Sequence, residues 1–219
     1  MVPHRLIIAM ALAVLASACT TTRSVQGLCG SQPNQSVCLG KMNVRDDRVT
    51  EFQASSRMTI DAIASDGFLR DLDWFVTNHA RTGGHEKAWR PVTDARSVVA
   101  GLLAGISGVE VDTMSDPVGT WWLIKSFGKN KAIEGDGTGP ILVNPFYDGA
   151  ARDYANTIGH EAAHRPPLSL RHPNFKYGSY GVGSCEPPYV IGSLVEKQVR
   201  GSNWSAAGHC RYLEGLPSP

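Results

Sequence analysis

A histidine pair with a glutamate between them, His160-Glu161-Ala162-Ala163-His164, matches the pattern HExxH. Residues four apart on a helix lie on the same side one turn apart, so both imidazoles can bind one metal ion while the glutamate acts as a general base. A chain with 7 histidines among 219 residues contains this pattern by chance far less than once. The pattern therefore predicts a metal site that catalyses hydrolysis.

The helical phase of this segment supports the same interpretation. At about 100° per residue, the two histidines point away from the apolar positions Ile158 and Ala162. A histidine that serves only to pack a core would lie on the apolar side. We therefore expect His160 and His164 to line a solvated cleft, and the remaining alternative is a solvated surface pair.

A catalytic zinc site needs a third protein ligand and one position open to water. The downstream candidates are His172, Glu186, Glu196 and His209. Glu186 is favoured because Pro187-Pro188 and an apolar run at helical spacing follow it, which predicts a helix that folds back beside the first. In such a site Glu161 accepts a proton from water, and a second donor stabilises the oxyanion. The sequence offers five such donors, Tyr177, Tyr180, Tyr189, Tyr212 and His209.

The cysteines favour an oxidising environment. Apart from Cys19 there are four, an even number, and local pairing of Cys29 with Cys38 and of Cys185 with Cys210 closes the shortest loops. Two other connectivities and free buried thiols are the alternatives. A Cys185–Cys210 bond would bring Glu186 and His209 to one region, since bonded cysteines have Cα atoms about 5–6 Å apart. His209 is therefore predicted to donate to the oxyanion or to support a ligand.

The first 18 residues have the pattern of a signal peptide. The apolar run over 6–15 has ten residues, too few to cross a bilayer, and small residues precede Cys19. The segment Ala16-Ser17-Ala18-Cys19 resembles a lipobox, although Leu15 stands four rather than three residues before the cysteine. We expect an exported bacterial envelope protein, anchored to the membrane by a lipid on Cys19 and facing the periplasm. Cleavage after Ala18 without lipid is the alternative, and it would give a periplasmic or secreted protein.

The remaining sequence predicts helices and short strands. Residues 19–54 are polar and are expected to form a tether with one small disulfide loop. Helices are predicted from Asp66, as N-cap, through Phe75 and from Thr93, as N-cap, to Gly108, and again from 151 to about 165. Strands are predicted over 109–112, 120–124 and 141–143. This succession indicates an α+β fold.

The overall charge excludes one class of partner. The chain has 21 Lys and Arg against 20 Asp and Glu, a net charge of +1, whereas nucleic-acid binding needs clustered excess positive charge. With 42% hydrophobic and 19% charged residues, the composition is that of a globular protein. A protein or peptide is therefore the expected partner.

From Phe68 to Arg200, the order of helices, strands, an Asn-Pro after the last strand, HExxH and a helix led by Glu186 resembles the zincin-type, M91-like family of bacterial effector metallopeptidases. The resemblance implies a zincin-like fold over 55–219, with a small twisted sheet packed on the HExxH helix and flanking helices. It also implies Zn²⁺ held by His160, His164 and Glu186, with Glu161 catalytic. Val190 stands where related enzymes carry an Asp four residues after the third ligand.

Two functions are consistent with these observations. The first is zinc-dependent hydrolysis of peptide bonds by a metal-activated water with Glu161 as general base. The second is a non-catalytic envelope lipoprotein that is stabilised by a metal and binds a protein partner. The presence of Glu161 favours the enzyme, because a structural zinc site does not need a general base.

Overall fold

A computed structural model describes residues 22–31, 36–113, 132–133, 139–143, 151–171, 185–207 and 209–216. Within these ranges the chain is a mixed α+β protein. The helices are α1 (Val49–Ile63), α2 (Asp66–Asn78), α3 (Glu86–Trp89), α4 (Ala95–Ile106), α5 (Ala151–His164) and α6 (Pro187–Arg200). The strands are β1 (Thr22–Gln26), β2 (Lys41–Arg45), β3 (Val111–Thr113), β4 (Ala132–Ile133) and β5 (Ile141–Val143). Short 3-10 turns cover Asp46–Arg48, Gly201–Asn203 and Arg211–Gly215.

The sheet has mixed strand directions. Its order is β1-β2-β3-β5-β4, with β2, β3 and β5 parallel and the two edge strands antiparallel to their neighbours. The strand predicted over 141–143 is confirmed, and the one predicted over 109–112 is found over Val111–Thr113. The strand predicted over 120–124 lies outside the described residues.

The segment predicted as a tether, 19–54, belongs instead to the folded domain wherever it is described, which corrects that expectation. Strands β1 and β2 pair from Thr22 with Arg45 to Gln26 with Lys41, and α1 then begins at Val49. Met42 and Val44 alternate with polar neighbours and are completely buried. This alternation is typical of a half-buried strand, but it is short and lies among polar residues.

The caps of two helices differ by one residue from the prediction. Ser65 caps α2, because its Oγ accepts a hydrogen bond from the Phe68 N–H at 3.1 Å. Asp94 caps α4, accepting from the Ser97 N–H at 2.8 Å. Both side chains satisfy N–H groups that a helix leaves unpaired in its first turn.

Helices α5 and α6 run antiparallel in close contact. A Cβ on Gly159 would lie 2.8 Å from Val195 Cγ2, and a Cβ on Gly192 would lie 2.8 Å from Asn156 Oδ1. Neither glycine has room for a side chain, so the two backbones approach more closely than larger residues would allow. On the other side of α5, the Ser55 hydroxyl of α1 donates to the Ala151 carbonyl at 2.7 Å.

Both predicted disulfides are present, Cys29–Cys38 and Cys185–Cys210, with Cα separations of 4.0 and 4.8 Å. Two such bonds indicate folding in an oxidising environment. Among the residues that the structure describes, no helix has the length and apolar character needed to cross a bilayer. The predicted signal peptide and Cys19 lie outside those residues.

Candidate metal site

The last turn and a half of α5 brings His160, Glu161 and His164 together. One ligand atom from each residue lies within 4.8 Å of the other two, an arrangement able to hold a metal ion. The two histidines are half-buried, while Ile158 and Ala162 are 1% and 0% exposed. Glu161 is 7% exposed.

The chain beyond α5 fixes the orientation of His164. After the helix ends, the segment over 165–170 turns back, and the Leu170 N–H donates to the Ala163 carbonyl at 2.9 Å. The Leu170 carbonyl in turn lies 2.7 Å from His164 Nδ1. A carbonyl only accepts, so Nδ1 carries the proton of this hydrogen bond. This is the usual arrangement of a metal-binding histidine.

The first turns of α6 lie against His160. The Tyr189 ring meets the His160 ring edge to face, with centroids 4.7 Å apart and planes at 67°. A Cβ on Gly192 would lie 3.2 Å from His160 Cβ. Of the four tyrosines that the sequence offers as oxyanion donors, Tyr189 is thus beside the histidine pair. Tyr212 instead stacks on His79 at the end of α2, with centroids 4.7 Å apart, and Tyr177 and Tyr180 lie outside the described residues.

Glu186, the favoured third ligand, is the N-cap residue of α6 and is 5% exposed. Its side chain makes no capping hydrogen bond to α6. Since α6 runs antiparallel to α5, the turn before Tyr189 points towards the end of α5 that carries His164. Among the described residues, however, the group within 4.8 Å comprises only His160, Glu161 and His164. The assignment of Glu186 as a ligand therefore stays a prediction.

The other predicted candidates occupy different places. Glu196 lies further along α6, where its Oε2 accepts from Asn156 Nδ2 at 2.5 Å. His209 contacts the same helix: its Nδ1 lies 2.8 Å from Ser193 Oγ and its Nε2 lies 3.8 Å from Glu196 Oε2. Neither residue is in the group of three. His172 lies outside the described residues.

Sequence reasoning missed two contributors to this region. The Leu170 carbonyl that orients His164 is a backbone group, for which no residue type gives a signal. Trp89, completely buried in α3, donates from its indole Nε1 to the Cys185 carbonyl at 2.7 Å, next to Glu186. The two residues are 96 positions apart in the sequence, so nothing in the sequence predicts this contact.

The part of the chain that the structure describes is thus a mixed α+β protein with two disulfides and one group able to bind a metal ion. Comparison with known proteins found no matching protein-family model, no matching curated protein and no matching solved structure.

Proposed function

We propose that this protein is a zinc-dependent peptidase with a zincin-like fold, in which His160, His164 and Glu186 bind the metal and Glu161 is the general base. The observation that carries the proposal is the cluster of two imidazoles and a carboxylate within 4.8 Å on one helix. The hydrogen bond between His164 and the Leu170 carbonyl supports it, because metal-binding histidines usually donate one ring N–H to a carbonyl in this way.

The donor set fits zinc chemically. Imidazole nitrogen and carboxylate oxygen are ordinary zinc ligands, and a catalytic site commonly combines two histidines with one glutamate. The histidines are half-buried, so they are reachable by a substrate as well as supported by the core. Glu186 has a buried carboxyl group at the end of α6 nearest to His164, which is the reason for choosing it as the third ligand.

The chemistry that zinc supplies in such sites is Lewis acidity, which lowers the pKa of water towards about 7 and polarises a carbonyl. Glu161 takes the proton of the attacking water and passes it to the leaving amine. Tyr189 is our choice as donor to the oxyanion, and its contact with the His160 ring supports this choice. The contacts of His209 with Ser193 and Glu196 favour its second predicted role, support of a ligand, because they join it to the helix that follows Glu186.

The proposed location is the bacterial envelope, with a lipid on Cys19 as membrane anchor and a protein or peptide as substrate. Two disulfides support export into an oxidising compartment. Strand β1 begins at Thr22, three residues after Cys19, which would keep a lipid-anchored domain next to the membrane. The resemblance to M91-like metallopeptidases is part of this proposal.

The test compares zinc content and cleavage of an unstructured protein such as casein in the wild type, Glu161→Gln and Glu186→Ala. We expect Glu161→Gln to keep its zinc and to lose about 100-fold or more in turnover, because the general base is gone. Glu186→Ala should bind zinc far more weakly, through the two histidines alone. The control is Glu214→Gln, which changes an exposed glutamate of the last 3-10 turn.

Equal turnover in Glu161→Gln and the wild type would contradict the hydrolytic mechanism. Zinc bound by the wild type without cleavage of any peptide would favour the second function, a metal-stabilised lipoprotein that binds a protein partner. Normal zinc in Glu186→Ala would place the third ligand elsewhere, with His172 as the next residue to change.

A further inference from the structure

The residue before Glu186 is held from two directions. Cys185 is bonded through sulfur to Cys210, which is 1% exposed and precedes the last 3-10 turn. Its carbonyl accepts the indole N–H of Trp89 at 2.7 Å, and Trp89 is completely buried. Position 185 is therefore fixed to the C-terminal segment by a covalent bond and to α3 by a hydrogen bond inside the core.

The residues after Glu186 are also restricted. Pro187 and Pro188 form the first turn of α6, are both buried, and have ring-locked φ angles near −65°. Glu186 thus stands between two fixed neighbours. Its backbone therefore has little freedom.

We infer that the Cys185–Cys210 disulfide and Trp89 are positioning residues for Glu186, and that they make zinc affinity depend on the oxidation state of the protein. The inference rests on the proposed function, because it takes Glu186 as the third ligand. Neither Trp89 nor the disulfide touches the metal. They act by removing conformational freedom that Glu186 would otherwise lose on binding it.

The Cys185–Cys210 bond forms by a two-electron oxidation. On oxidation the two thiols release two protons and pass two electrons to a disulfide-containing oxidant, which becomes a dithiol while the Cys185–Cys210 bond forms. A dithiol reductant such as dithiothreitol reverses the step and is itself oxidised to a cyclic disulfide. The reduced protein would bind zinc weakly before export and tightly once the bridge has formed in an oxidising compartment.

The second disulfide provides a matched control. Cys29 and Cys38 close a loop between β1 and β2, and they face each other as an isolated bridge beside the sheet. The Cys29 carbonyl accepts from Arg57 of α1 at 3.4 Å, which places this bond against α1 rather than α6. Removing it should lower stability, as removal of a native disulfide generally does, without changing the position of Glu186.

The experiment measures the zinc dissociation constant by competition with a chromophoric chelator. The samples are the oxidised wild type, Cys185→Ala/Cys210→Ala, Cys29→Ala/Cys38→Ala and Trp89→Phe, each checked for folding by circular dichroism. We expect about 10–100-fold weaker binding in the Cys185/Cys210 variant and in Trp89→Phe, as for loss of a group that orients a ligand. The Cys29/Cys38 variant should match the wild type.

Combining the disulfide substitutions with Glu186→Ala distinguishes the positioning of Glu186 from a general structural role of the disulfide. In a Glu186→Ala background, removing Cys185 and Cys210 should weaken zinc binding no further, because the group that they position is absent. An additional loss there, or equal zinc affinity in the two disulfide variants, would overturn the inference.

If the Cys185/Cys210 variant does not fold, the Cys29→Ala/Cys38→Ala protein, in which Cys185–Cys210 is the disulfide under test, is reduced with dithiothreitol. The dithiothreitol is removed by gel filtration without oxygen before zinc is added, because dithiols bind zinc themselves. Zinc affinity should fall on reduction and return on reoxidation, and an unchanged affinity would refute the inference. Absence of zinc binding in the oxidised wild type would instead refute the proposed function.

Discussion

Two polar clusters lie on the helices around α6, and they differ in how their charges are arranged. In the first, the buried Asp71 carboxylate of α2 accepts from Lys197 Nζ at 2.6 Å and from Gln198 Nε2 at 2.9 Å. Arg70 adds a second cation at 3.3 Å. Both oxygens of the one carboxylate thus have a positively charged partner within the protein.

The second cluster is the group on α5. His160, Glu161 and His164 bring two imidazoles and a carboxylate within 4.8 Å, so electron-pair donors are concentrated at one point. The histidines are half-buried, whereas Asp71 is completely enclosed. The first cluster joins α2 to α6, and the second cluster is a group that could hold a cation. Burial together with charge balance separates the two, where residue type alone does not.

The largest effect is expected from a substitution that breaks the first cluster. Asp71→Ala removes the carboxylate next to the buried Lys197 ammonium and should cost about 3–5 kcal/mol in the free energy of unfolding. Urea unfolding measures this loss. Zinc affinity of the folded fraction should stay within about twofold, and Asp73→Ala, at an exposed position of the same helix, is the control. A large loss of zinc affinity in Asp71→Ala would mean that the clusters are coupled.

Breaking the second cluster should have the opposite profile. His164→Ala removes a direct ligand, so zinc affinity should fall by at least about 100-fold, the upper end of what loss of an outer-shell partner costs. Without metal, the free energy of unfolding should change by less than about 1 kcal/mol, because the side chain is only half-buried. His79→Ala is the matched histidine control. Unchanged zinc binding in His164→Ala would remove the metal site from α5.

A substitution between the helices should affect both properties. A Cβ at Gly192 would meet Asn156 Oδ1 at 2.8 Å and His160 Cβ at 3.2 Å, so Gly192→Ala should separate α5 from α6. We expect a loss of about 1–3 kcal/mol in stability from overpacking, with a measurable decrease in zinc affinity. Calorimetry and chelator competition measure the two effects. Gly139→Ala is the control, since nothing lies within 4 Å of its Cβ.

The smallest expected effect lies away from both clusters. Burial, and next the charge of His85, lower the pKa of His79 from its ordinary value of 6.5. The unfolded chain therefore binds a proton more readily, so this contribution to stability is complete above pH 6.5 and is lost as the pH falls towards the folded pKa. Urea midpoints of the metal-free protein between pH 5 and 8 should show this slope, and His79→Gln should reduce it. An identical slope in the variant would contradict the assignment.

Two exposed carboxylates, Glu86 and Asp94, do not obscure that measurement. Hydrogen bonds, chiefly from the Gly84 backbone to Glu86 and from Ser97 to Asp94, lower the pKa of both groups below 4.5 and 3.8 respectively. Their contributions have the same sign, but they are lost only in more acidic solution.

The elements that a sequence reveals best are those with large apolar residues and clear end signals. Helix α6 begins with two prolines directly after Glu186, as predicted, and α5 ends one residue before the predicted Arg165. Helix α1 gave no comparable signal, because its buried face includes Ser55, Ser56 and Thr59. Their hydroxyls bond to backbone carbonyls, and hydrophobic periodicity does not register such residues.

Contacts between distant positions could not be predicted at all. Asp71 and Lys197 are both types that usually lie on the surface, and they pair across 126 positions of sequence. The HExxH motif located the candidate site because a helix converts a spacing of four residues into proximity. Leu170 contributes a backbone carbonyl, and Tyr189 was one of several equivalent tyrosines, so their roles depend on how the chain folds back.

The close approach at Gly159 and Gly192 also specifies how α5 and α6 are aligned along their lengths, since Gly159 faces Val195 and Gly192 faces Asn156 and His160. The alignment therefore depends on the helix surfaces that are in contact. We therefore expect His160 to keep its place beside Gly192 when the length of chain that joins the two helices is changed.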